Sequence, residues 1–138
     1  MDDGDWRTAF EGAEEVGNTF ASPPVLSGRN LSRLHVDDRG GNVAVAMGFD
    51  FRVSSEDAPQ EWVEQQFNAF EVSLEFTRVQ DLRIDGWAGE PDCRVAFSKN
   101  PRGSVDVRMS GTGEHISFTA ERARISRFRA YRASAAGH

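Results

Sequence analysis

The chain has 138 residues, 38% of them hydrophobic, and a formal net charge of −6. That length supports a single domain with a sizeable core, while the acidic balance argues against a nonspecific nucleic-acid binder, which needs a positive footprint. A single cysteine, Cys93, excludes an internal disulfide and a metal site built from thiolates.

No apolar run reaches the length of a membrane-spanning helix. The first five residues, Met1-Asp2-Asp3-Gly4-Asp5, are acidic where a secretory leader is basic, so the cytoplasm is the expected compartment. The charge is unevenly spread. Residues 1–75 hold 15 Asp and Glu against 5 Arg, and residues 76–138 hold 7 against 11 basic residues. The first part can steer a basic partner.

From Asp5, Trp6 and Phe10 recur at helical spacing, with Asp5 placed to cap. A short helix is therefore expected through Val16, ended by Gly17-Asn18. Pro23-Pro24 and Gly28 make 21–28 a loop. Residues 29–37 read as the first strand, in which Leu31 is out of phase with Leu34 and Val36; a bulge or a late start accounts for that. Gly40-Gly41 sits in a hairpin turn over 38–42. Val43, Val45, Met47, Phe49 and Phe51 then alternate with Ala44, Ala46, Gly48 and Asp50. The small second face is sized to lie under the N-terminal helix or a long loop.

Residues 54–68 form a polar loop that contains Pro59 and the apolar trio Trp62, Val63 and Phe67; a single helical turn fits 60–66. The stretch 68–87 is the organising one. Phe70, Val72, Leu74 and Phe76 alternate with Glu71, Ser73, Glu75 and Thr77, and Val79, Leu82 and Ile84 follow a polar step at Gln80-Asp81. This predicts two strands, 69–78 and 81–86, or one strand broken by a bulge. Further alternating runs are Cys93/Val95/Phe97, Val105/Val107/Met109 and Ile116/Phe118/Ala120. The last segment, 123–131, carries Ile125, Phe128 and Tyr131, so its phase slips once.

About eight short strands result, mostly joined by tight turns, with too little chain between them for crossover helices. The expected fold is mainly β, α+β by count. It is a single domain over 1–138, ordered over about 5–132: an antiparallel meander curled into a sandwich or half-barrel, with a short N-terminal helix. Phe49, Phe70, Leu74, Phe97, Val107 and Phe118 are expected in the core.

Catalytic chemistry finds no local footing. His35, His115 and His138 have no metal-ligand spacing, and no nucleophile–base arrangement stands out. No catalytic, cofactor or metal residues are expected. Cys93 is in phase with Val95 and Phe97 and reads as a small buried hydrophobe. His35 faces opposite Leu34 and Val36. Glu56, Asp57, Glu61 and Glu64 surround Trp62, an arrangement that suits a basic protein partner; the same loop also reads as solvated, with Trp62 as a staple. Trp87, after Asp85-Gly86, either anchors a contact or closes the end of the sheet over the core. Arg122, Arg124, Arg127, Arg129 and Arg132 form a basic stripe that meets phosphate or pairs with the acidic first half.

One resemblance runs through these segments. It is carried by 27–36, by 43–51 with its aromatic-acid-aromatic end, by 67–72, by Leu82-Arg83-Ile84-Asp85-Gly86-Trp87, and by 125–132. Over roughly residues 5–132 the chain resembles the immunity protein 50 family, small proteins found beside secreted polymorphic toxins in actinobacteria and other bacteria. The resemblance implies a cytoplasmic, non-catalytic protein without a cofactor that binds and neutralises a cognate toxin. On charge, the toxin is expected to be basic, as nucleases often are. The contact surface is expected to draw on Glu56, Asp57, Glu61 and Glu64, with Trp62 or Trp87 as anchor and Asp85 near it. Neither nucleic acid nor membrane is an expected partner, and the protein is expected to be a monomer or weak homodimer. The alternatives are a small-ligand or carbohydrate-binding β domain and a structural subunit of a larger complex.

Overall fold

The computed structural model describes residues 6–12, 14, 31–38, 40–54, 56, 58–86, 94–111 and 113–133. Each alternating stretch within them is a strand, but the strands are fewer and longer than their turn signals imply. β1 is Leu31–Asp38, β2 Val43–Arg52, β3 Ala69–Ile84, β4 Arg94–Lys99, β5 Val105–Gly111 and β6 Glu114–Tyr131. They form one six-stranded sheet in the order β1-β2-β3-β6-β5-β4, antiparallel throughout. The expected bulge near Leu31 is present as a register shift between Leu31 and Arg33.

Strands 69–78 and 81–86 are one strand, and so are 115–120 and 123–131. Neither break in alternation is a reversal, and two bulges shift the register between β3 and β6. Ser73 pairs with Arg127 and Leu74 with Ile125, which leaves Ser126 as an extra residue in β6. Gln80 pairs with Thr119 and Arg83 with Ser117, which places an extra residue in β3. Asp81 there has φ 56. The second bulge restores the register that the first displaced. Between them, both strands step three residues from one core side chain to the next, Phe76 to Val79 and Ala123 to Ala120. Arg78, with φ 51, takes up the change and pairs with Glu121 opposite it. The apolar side therefore stays on one face along the full length of both strands.

That continuity corrects the expected curl. β1 and β4 are the two edges and do not pair with each other, so the sheet is open and is neither a sandwich nor a half-barrel. One long face carries the core: Val45, Met47, Phe49, Val72, Leu74 and Phe76 are wholly buried at its centre. Of the six expected core residues, Phe49, Phe70, Leu74, Val107 and Phe118 are buried. Phe97 is half-buried and packs edge-on against Phe10.

The N-terminal helix is corrected as well. Trp6–Ala9 is a single 3-10 turn. Phe10 then drops into the core, its ring centroid 5.6 Å from that of Phe76 and 5.1 Å from that of Phe97. The Glu11 N–H donates to the Ala123 carbonyl and the Ile125 N–H to the Glu11 carbonyl, both at 2.9 Å. Backbone tied to a strand edge cannot also close helical hydrogen bonds, and Gly12 leaves the bridge with φ 80. Of the rest of the expected helix, Glu14 is helical, and residues 13, 15 and 16 lie outside the described residues. The short α-helix, α1, is mid-chain at Gln60–Glu64, within the span where a helical turn was expected.

Candidate functional site

Two surfaces of this sheet carry charge, and they differ in how that charge is used. The outer face, opposite the core, shows the polar half of every strand. On β3 it presents Glu71 and Glu75, and on β6 Arg124, Arg127 and Arg129, which the register sets opposite each other. Arg124 reaches Glu75 at 2.7 Å, while Arg127 at 3.5 Å and Arg129 at 3.1 Å share Glu71. Arg122 makes two bonds to Glu11, of 3.1 and 2.7 Å. That bond holds the Glu11 carboxyl below its ordinary range and raises the Arg122 guanidinium. The arginine stripe of β6 is thus paired within the molecule.

Among the described residues, Gly48 of β2 is covered from β1. Arg33 lies over Gly48, where an added Cβ would come within 3.3 Å of its guanidinium, and donates to the Ser73 hydroxyl at 3.2 Å. Next to it, Ser32 and Tyr131 both donate to the Asp50 carboxylate, Tyr131 at 2.9 Å. Burial, and then this bond to Asp50, raise the Tyr131 phenol above its ordinary pKa. An open hollow of about 460 Å³ on the same face is lined by residues including Asp81, Ser98, Asp106, Arg108, Ser117 and Thr119. Thr119 already donates to Asp106. Its lining mixes these polar side chains with Ala96, Val107 and Phe118, the last two buried, and no exposed aromatic platform for a sugar ring is found among the described residues.

The second surface is the corner at α1. Pro59 precedes the helix, Gln66 with φ 63 turns the chain out of it, and the Phe67 N–H closes back on the Trp62 carbonyl at 2.8 Å. Arg132 donates to the Gln65 carbonyl, and Asn68 exchanges two bonds with Ala133, which fixes the corner to the end of β6. Trp62 turns inward: its ring lies 5.5 Å from Phe70 and 6.2 Å from Phe128. It is the staple of this loop and is half-buried. Val63, one position on, is therefore aimed outward and is 38% exposed. Glu56, Glu61 and Glu64 are all exposed, and no ion pair among the described residues engages them.

Glu56, Glu61, Trp62 and Glu64 thus share one corner. Asp57 and Trp87 lie outside the described residues. Asp85 is exposed, and its N–H donates to the His115 carbonyl at 2.8 Å, beyond the far end of β3. Fourteen residues of strand separate Phe70, under Trp62, from Ile84, a span of roughly 45 Å at ~3.3 Å per residue. The structure does not bring Asp85 to the α1 corner. Val63 is the residue that sequence reasoning passed over as a contact. Its signal was available, because adjacent positions on a helix cannot both face the core.

These features define a β-sheet protein that offers contact surfaces: an outer face of internally matched charge and an acidic corner with an apolar residue at its centre. Among the described residues no three His, Cys, Asp or Glu side chains are grouped to hold a metal ion, and no helix is long and apolar enough to cross a membrane. The chain belongs to the immunity protein 50 family, whose family model matches residues 12–131. No curated protein and no solved structure gives a significant match. Its role is that of a non-enzymatic immunity protein, with a cognate toxin as partner.

Proposed function

We propose that this protein neutralises its cognate toxin by direct binding in the cytoplasm, with the α1 corner as the contact surface and a basic toxin, such as a nuclease, as the partner. One observation carries the reading. The acids of β3 and Glu11 are matched by β6 arginines, whereas Glu56, Glu61 and Glu64 stay exposed and unmatched around Val63. An apolar centre within an acidic rim suits a basic surface with a shallow apolar recess. Covering a phosphate-binding surface would keep a nuclease from its substrate.

The test is co-expression with the toxin domain encoded next to this gene, followed by pull-down and binding kinetics. Val63→Asp should weaken the complex at least tenfold through a faster dissociation. Glu61→Lys with Glu64→Lys should slow association and flatten its salt dependence, because rim charges act mainly on encounter. Both sets lie on exposed positions and should fold as the parent does. A complex that forms with unchanged affinity and salt dependence in both variants would move the contact away from α1.

A further inference from the structure

We infer that Arg33 and Arg127 form a site for one phosphate group, of the kind a small phosphate ester carries, on the outer face of the sheet. The pairing registers place Arg33, Gly48, Ser73 and Arg127 in a single row across β1, β2, β3 and β6. The row has a guanidinium at each end, two small residues between them and no carboxylate. Both arginines are exposed.

The side chains bring the ends of this row together. Three strand spacings set the two Cα atoms about 14 Å apart. Arg33 closes most of that span by lying over Gly48, where an added Cβ would come within 3.3 Å of its guanidinium nitrogens. Its guanidinium donates to the Ser73 hydroxyl at 3.2 Å, and Ser73 stands opposite Arg127. The charged end of Arg33 therefore lies one strand spacing from Arg127. That hydrogen bond is to a neutral oxygen, so the charge of Arg33 stays uncompensated. Arg127 reaches Glu71 only at 3.5 Å, while Arg129 holds the same carboxylate at 3.1 Å.

In this row and the two beside it, four arginines and His35 face three acids. Arg124 is matched to Glu75, Arg127 and Arg129 share Glu71, and Asp50 accepts from Ser32 and Tyr131. Arg33 is the guanidinium left without a carboxylate. A guanidinium presents paired N–H edges that match an oxyanion, and two of them can divide the terminal oxygens of a phosphate between them. A carboxylate has only two oxygens and is satisfied by one guanidinium. A chain of phosphates fits poorly. Two residues along the strands, roughly 7 Å away, the next phosphate would meet Glu71 and Asp50 on one side or Glu75 on the other. The row thus suits a terminal phosphate and not a nucleic-acid backbone.

Titration with inorganic phosphate, followed by NMR of the arginine Nε–H signals, reads the site. The Arg33 and Arg127 signals should move together and saturate, and acetate should bind about tenfold more weakly. A nucleoside monophosphate should bind at least as tightly as inorganic phosphate, and a single-stranded oligonucleotide without a terminal phosphate should not compete with it. Arg33→Gln and Arg127→Gln should each abolish saturation. Gly48→Ala, whose new Cβ meets Arg33 side-chain atoms, should weaken binding with both arginines still present. Arg83→Gln, exposed on the same face opposite Ser117, should leave binding unchanged. Backbone amide spectra check that each variant keeps the parent fold. No saturation in the parent, equal affinity for acetate, tighter binding of the oligonucleotide, or unchanged binding in folded Arg33→Gln would overturn the proposal.

Discussion

Replacing Trp62 with Ala should unpin α1 from the sheet and destabilise the whole protein. Trp62 is half-buried, with its ring against Phe70 and Phe128. A ring of this size that hides about 150 Å² of apolar surface contributes roughly 4 kcal/mol at ~25 cal/mol per Å². Because the unfolded chain already hides part of that surface, about 3 kcal/mol is the better figure. Phe70 sits under the ring at 3% exposure and would gain water on one side. Urea denaturation followed by far-ultraviolet circular dichroism measures the loss as a lower midpoint at unchanged slope. Trp62→Phe should recover more than half of it. A loss below about 1 kcal/mol would show that the ring does not staple the loop, and Trp62 would then be open again as a contact anchor. The same logic makes Trp62→Ala a poor probe of binding, since it disturbs the scaffold that presents Val63.

Two further outcomes follow from the sheet. Deleting Ser126 removes the extra residue of β6 and leaves Ile125 opposite Leu74, Arg127 opposite Ser73 and Phe128 opposite Val72, so Phe128 and Ala130 stay on the core face and the Arg127 and Arg129 pairs to Glu71 are kept; the variant should keep cooperative melting, and a loss of cooperativity would refute the register. Tyr131 is the one tyrosine of the chain, so phenolate absorbance reports it alone. Its midpoint should lie above 10.0, and Asp50→Asn should bring it down, because burial and the bond to Asp50 both favour the protonated phenol. With the folded-state pKa raised, this group's contribution to stability is complete below the unfolded value near pH 10 and is lost as pH rises through the folded midpoint. An unchanged midpoint in Asp50→Asn would remove Asp50 as a cause.

The amino-acid order alone determined which side chains face the core. Alternation is set within a few residues by the pleat, so Val45 to Phe51, Phe70 to Phe76 and Val105 to Met109 were readable without any partner strand. The short helix at 60–64 was readable too. What alternation cannot distinguish is a bulge from a reversal, because both interrupt it in the same way. At Gln80-Asp81 and at Glu121-Arg122 only the strand alongside decides, and there the chain continues, which makes six strands where the local signals count about eight. Openness is decided in the same way, since closure depends on whether β1 meets β4, residues far apart in sequence. Tertiary pairing also settled which charges remain available. The β6 arginines and β3 glutamates read as separate runs until the register set them face to face. Glu61 and Glu64 on α1, off the sheet, and Glu56 in the loop before it are left exposed, with no strand of arginines opposite them among the described residues.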